Sequence, residues 1–192
     1  MVAGDQPVPS TGPESFERLL TAVATELLGT PLESFDACIT GALSRLVEFL
    51  GVERGTFGLV DSADDVLRTT HAVGAPGVAP VPVPTPETSF PWIAAQMREK
   101  RTPVIVVGEQ DFPSEATTDL QTLRAFRVKS VAIFPIVAGE QFLGFFTFGT
   151  TRVERSWPQP LVDRMSLIGE VFAGALLRRE HERTLRAALA EV

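Results

Sequence analysis

Tyrosine is absent from this sequence, cysteine occurs once and histidine twice, and no run of about 18 apolar residues occurs anywhere. Each shortage removes a class of function. The lone Cys38 forms no internal disulfide, and with only His71 and His181 beside it the chain cannot assemble a four-ligand zinc set, so no metal or other cofactor is expected. The missing apolar run argues against a membrane span. Met1 to Ser10 has neither the basic nor the apolar region of a secretory signal, so the expected compartment is the cytoplasm. Positive charge is scarce too: 17 Lys and Arg stand against 24 Asp and Glu, a net charge of −7. Such a field repels phosphate backbones and anionic lipid, and neither nucleic acid nor membrane is an expected partner.

What is present suffices for one core, with 44% hydrophobic residues in 192. Residues 1–12 hold Gly, Pro, Ser and Asp without periodicity and read as a disordered lead. From Pro13 onward Leu19, Leu20, Val23 and Leu27 recur at helical spacing, with Gly29 as a left-handed stop. Thr30-Pro31-Leu32-Glu33 reads as the cap and first turn of a second helix, carried by Phe35, Ile39, Ala42, Leu46 and Phe49 and closed by Gly51. Two strands, 56–60 and 66–73, flank an acidic turn. Prolines 76, 80, 82, 84 and 86 then forbid a central strand and require a surface loop. A helix from Ser89 or Pro91 to Lys100, a strand over 103–107 and a helix over 115–127 follow. Strands 130–137 and 141–148 pair across Ala138-Gly139-Glu140. After Trp157-Pro158 a long helix presents Leu161, Met165, Ile168, Phe172 and Ala175 on one face.

This order predicts an α+β fold with a central antiparallel sheet, terminal helices on one face, and loops plus short helices on the other. The domain is expected over 13–177, with 178–192 as a C-terminal helical linker. Leu185, Leu189 and Val192 resume helical spacing beyond a charged cluster, and no stop residue follows Val192. That ending suggests a longer parent protein with an effector behind the helix. A homodimer through the terminal helices is expected, with Phe172, Leu185 and Leu189 as contact candidates.

Several segments in fixed order resemble the GAF domain. They are Val52-Glu53-Arg54-Gly55-Thr56-Phe57-Gly58, Phe90-Pro91-Trp92-Ile93, Arg127-Val128-Lys129-Ser130-Val131 before Phe134-Pro135-Ile136, and Leu143-Gly144-Phe145-Phe146-Thr147-Phe148. Trp157 and Val171-Phe172-Ala173-Gly174-Ala175-Leu176 complete the set. The chain is similar to the GAF domains that precede kinase, PAS or enhancer-dependent activator modules in bacterial signalling proteins. The resemblance implies small-molecule binding between sheet and covering loops in some members, and helix-mediated dimers in many. It also implies departures. The Asn-Lys…Phe-x3-Asp-Glu series of cyclic-nucleotide binders is missing, and Cys38 sits in a helix, not in the crossover where bilins attach.

No arrangement of reactive residues speaks for catalysis. His181-Glu182-Arg183-Thr184-Leu185 has the wrong register for a phosphoacceptor box and reads as a solvated helix face, with Glu182 and Arg186 at i, i+4. His71 is a lone strand histidine without a second haem-ligand signal. Cys38 has no resolving thiol. Asp61, Asp64 and Asp65 fit a turn and lack calcium-loop spacing. A non-enzymatic sensory domain is therefore expected, binding an unidentified small molecule or relaying a signal through its helices. The alternatives are an enzyme of the free methionine-R-sulfoxide reductase type and a ligand-free dimerisation scaffold. Candidate pocket residues are Phe57, Leu59, Trp92, Met97, Phe126, Ile133, Phe146 and Phe148. Alternation puts Phe57 with Leu59, and Phe146 with Phe148, on common faces, and leaves open which set faces the pocket.

Overall fold

Apolar residues at helical spacing form the first two helices and the last one, and these gather on the same side of one sheet. The computed structural model describes residues 13–82 and 86–190; the lead expected over 1–12 lies outside them. Helices α1 (Pro13–Gly29) and α2 (Phe35–Leu50) precede strands β1 (Arg54–Val60) and β2 (Leu67–Gly74). Short helices α3 (Pro86–Ser89) and α4 (Pro91–Lys100), strand β3 (Val104–Val106) and helix α5 (Thr117–Ala125) follow. The hairpin β4 (Ser130–Ala138) and β5 (Gln141–Thr150) leads to the 32-residue helix α6 (Gln159–Ala190). No helix among the described residues is long and apolar enough to cross a membrane.

Local punctuation explains most boundaries. Gly51 adopts φ 62° and its N–H closes on the carbonyls of Val47 and Glu48, the expected left-handed stop of α2. The β4–β5 turn places Gly139 at φ 58°, where a side chain would be strained. The start of α2 differs from the expected cap. A 3-10 turn over Leu32–Ser34 intervenes, and the Thr30 hydroxyl donates back to the Glu26 carbonyl, satisfying the end of α1 instead of the start of α2. Gly29 ends α1 without a left-handed φ.

The strand order is β2-β1-β5-β4-β3, and every neighbouring pair is antiparallel. Phe146 lies opposite both Phe57 and Phe134, so the three share a face, and Phe148 lies two residues on. That face carries α2 and α6, with α1 packed on those helices, and together they enclose the main core. Phe134 stacks on Phe146 at 5.1 Å, while the Phe172 ring sits 5.0 Å from Phe57 and 5.3 Å from Phe146. Phe172 is therefore a core residue and not the dimer contact expected, because its position on α6 turns directly onto the sheet.

Helix α6 runs unbroken past residue 177. Three arginines anchor its extension to the α1–α2 connection. Arg178 donates to the Thr30 carbonyl at 2.6 Å, Arg179 lies over the Phe35 ring at 4.6 Å and pairs with Asp36, and Arg186 bonds Glu33 at 2.6 Å. The Arg179 side chain is only 13% exposed, because the ring face and the Asp36 carboxylate offset its desolvation.

Candidate functional site

The other face of the sheet is built from three rows of opposed residues on β1, β5 and β4. They are Arg54–Gly149–Val131, Thr56–Thr147–Ile133 and Gly58–Phe145–Pro135. The middle row is polar at its centre: the Thr56 and Thr147 hydroxyls meet at 2.6 Å. In the third row Gly58 makes room for the Phe145 ring, since a Cβ there would fall 2.2 Å from Cε1. Helix α4 turns Ile93, Ala94 and Met97 toward this face, and α5 contributes Leu123.

Between these layers lies a cavity of about 80 Å³. Thr56, Thr69, Val131, Ile133, Phe145 and Thr147 form its floor. Phe90, Ile93, Met97, Leu123 and Phe126 cover it, with Val81 and Pro86 from the proline-rich segment. Among the described lining residues, Arg54 is the single ionisable one.

Arg54 joins the walls. Its Nε donates to the Ala79 carbonyl at 3.0 Å, and its Nη1 to the Phe126 carbonyl at 2.6 Å, where α5 ends. The second bond satisfies a C-terminal helix carbonyl and places positive charge at the negative end of the helix dipole. Burial pushes the guanidinium below its ordinary pKa, an effect that neighbouring Glu53 opposes.

Helix α4 has no side-chain cap of its own. Asp119 of α5, fully buried, supplies one by accepting the N–H groups of Trp92 at 3.1 Å and Ile93 at 2.9 Å. At the other end of this layer Glu87 accepts from the Leu67 N–H at 2.7 Å and from Arg98 at 3.0 Å, tying α3 and α4 to β2.

Of the residues expected to line a pocket, the fold brings Met97, Phe126 and Ile133 together. Phe57, Phe146 and Phe148 lie in the core on the opposite face, and Leu59 packs against that same cluster. Both alternating sets face the helices, because α2 and α6 offer the larger apolar surface to cover. Trp92 is displaced for a helical reason. It sits one residue, about 100°, before Ile93, so its ring leans on Phe112 at 6.0 Å outside the cavity. Sequence reasoning passed over Phe145, Thr56, Thr147 and Arg54; the intervening positions of the same strands were the available signal.

The reactive side chains are elsewhere. Cys38 is buried in α2, where desolvation raises its thiol pKa. His71 lies opposite Phe57, against Phe57 and near Asp36. Burial lowers its pKa first, Arg179 adds to that and Asp36 opposes it. In the acidic turn, Asp61 and Asp64 pair with Arg68, whose hydrogen bond holds the Asp64 carboxyl at about 2. Asp65 pairs with Arg98. Among the described residues no cluster of His, Cys, Asp or Glu is placed to hold a metal ion.

An antiparallel sheet with long helices on one face, and a small apolar cavity under short helices on the other, defines a class of α+β domain. The GAF domain family matches residues 34–176, and the chain belongs to it. The phycocyanobilin-bound GAF domain of a cyanobacterial phytochrome is similar, with a TM-score of 0.71 at 15% identity, covering 87% of this chain and 96% of that one. Residues 122 to 287 of a methyl-accepting chemotaxis protein give 0.64 at 21% identity, covering 84% and 96%. The free methionine-R-sulfoxide reductase of Neisseria meningitidis, solved with its substrate, gives 0.64 at 11%, covering 94% and 98%. At these identities the likeness establishes the fold. No curated protein matches the chain.

Proposed function

We propose that this chain is a non-catalytic sensory domain of a cytoplasmic signalling protein, which holds a small molecule between its sheet and helices α4 and α5. The carrying observation is the cavity itself, whose polar groups are three threonines and Arg54. Such a site can bind and orient a ligand, but its described lining offers no thiol, imidazole or carboxylate to act as nucleophile or base. That favours a sensor over a reductase, since Cys38 faces the helical core. Phytochrome and chemotaxis-protein neighbours support the same reading. Occupancy would be transmitted through β4 and β5 to α6, which packs on the far side of those strands.

Native mass spectrometry of the freshly purified chain tests this. A small molecule should co-purify with the wild type and be lost in Ile133→Trp, whose indole fills the cavity at a cost of about 1–3 kcal/mol. A wild-type chain that carries nothing, and whose Met97 and Ile133 methyl resonances ignore every small apolar probe, would refute the ligand reading and favour a scaffold.

A second reading concerns assembly. Leu177, Leu185 and Leu189 on α6 are 45%, 59% and 76% exposed, which favours a second copy of the chain as their cover and α6 as the output linker to an effector. Sedimentation at micromolar concentration should show a dimer that Leu185→Asp with Leu189→Asp weakens. A monomer throughout that range, or a dimer indifferent to both changes, removes the helical-linker mechanism.

A further inference from the structure

Resting on the ligand-site reading, we infer that the cavity selects short-chain monocarboxylates, the carboxylate meeting Arg54 and the hydrocarbon meeting the apolar wall. Three observations point this way. Charge is the first: the protein carries a net −7, yet the single ionisable side chain among the described lining residues is a cation. A cationic ligand would meet like charge and no carboxylate partner. An uncharged apolar ligand would remove water from the Nη2 side of the half-buried guanidinium and offer that side no acceptor in return.

Donor geometry is the second. The two bonds that Arg54 makes to the Ala79 and Phe126 carbonyls use Nε and Nη1, and neither uses Nη2. The remaining N–H groups of the guanidinium can pair with a planar carboxylate, whose hydrocarbon tail suits the apolar wall, and in a site of low polarity such a charge-assisted contact is strong. Arg54 stands opposite Gly149 across the β1–β5 ladder, so no side chain from that position competes for the space above the sheet.

Size is the third. At about 80 Å³ the cavity has room for roughly six non-hydrogen atoms, taking about 10–15 Å³ for each water-sized occupant. Butyrate and isobutyrate have this size. Their alkyl ends would lie among Ile93, Met97, Leu123 and Ile133. Because Arg54 also bonds the main chain on both sides of the cavity, a carboxylate drawing on its fork acts directly on the segment around Ala79 and on the end of α5.

The test compares butyrate with its neutral isostere butyramide, read by the Met97 and Ile133 methyl resonances of the intact chain. Butyrate should shift both methyls saturably, and butyramide should bind about tenfold or more weakly, the scale of one hydrogen bond to a charged group. Arg54→Gln should bring butyrate down to the level of butyramide. If that variant does not fold, the wild-type pair of ligands decides by itself. Equal binding of the two in the wild type overturns the carboxylate class while leaving the cavity a ligand site. Methyls that ignore both probes overturn the inference, and the sensory reading then depends on the mass measurement described above.

Discussion

Phe146→Ala is expected to lower the unfolding free energy by about 3–5 kcal/mol and Tm by about 10–15 °C. The magnitude follows from where the ring sits. Phe146 is fully buried and contacts Phe134, Phe148 and Phe172 at centroid distances of 5.1, 5.9 and 5.3 Å. Its removal empties the junction between β5 and α6, and the surrounding rings belong to three different elements that cannot all move in to fill the space. Equilibrium urea unfolding checks this. A loss under about 1 kcal/mol would contradict the assignment of Phe146 to the helix face and, with it, of Phe145 and Thr147 to the cavity face.

The second large effect is expected at Asp119. Asp119→Ala leaves the Trp92 and Ile93 N–H groups without their acceptor in a buried setting, a cost of about 3 kcal/mol. Asp119→Asn should lose less, since one amide oxygen still accepts one of the two N–H groups. The damage is local before it is global, because Asp119 joins the first turn of α4 to α5 while the main core lies beyond the sheet. Hydrogen exchange should therefore show amides 92–97 opening well ahead of those in β4 and β5. Since Ile93 and Met97 line the cavity, the same variant should weaken ligand retention more than its stability loss implies. Unchanged exchange in α4 would mean that the helix does not depend on this cap.

The contrast between these two positions shows how far the sequence could be read. Strand alternation pairs Phe146 with Phe148 on one face and leaves open only the choice between pocket and core. Asp119 gives no such signal, because its partners are 26 and 27 residues away and nothing local distinguishes a capping carboxylate from a solvated one. Arg54 is similar. Its two acceptors, Ala79 and Phe126, are 25 and 72 residues distant, in segments whose approach depends on the whole upper layer. The candidate pocket residues come from one aromatic and aliphatic set, in which Met97, Phe126 and Ile133 cannot be told from Phe57, Phe146 and Phe148 without knowing which face α2 and α6 cover.

By itself the sequence determined the α+β class, the helical ends, the Gly51 and Gly139 punctuation and the β4–β5 hairpin, because each rests on periodicity or backbone freedom within a few neighbouring residues. It also determined that Phe57 and Leu59 share a face, as do Phe146 and Phe148. Only the tertiary structure decided that both pairs face the same helices. That choice depends on the β1–β5 register, in which Phe57 opposes Phe146 and Thr56 opposes Thr147. A one-residue shift would set Phe57 opposite Phe145 or Thr147 instead, sending one of the two pairs to the helices and the other to the cavity face. Burial of the larger apolar face beneath α2 and α6 selects the observed register, and the cavity is formed from the smaller and more polar side chains left on the other side.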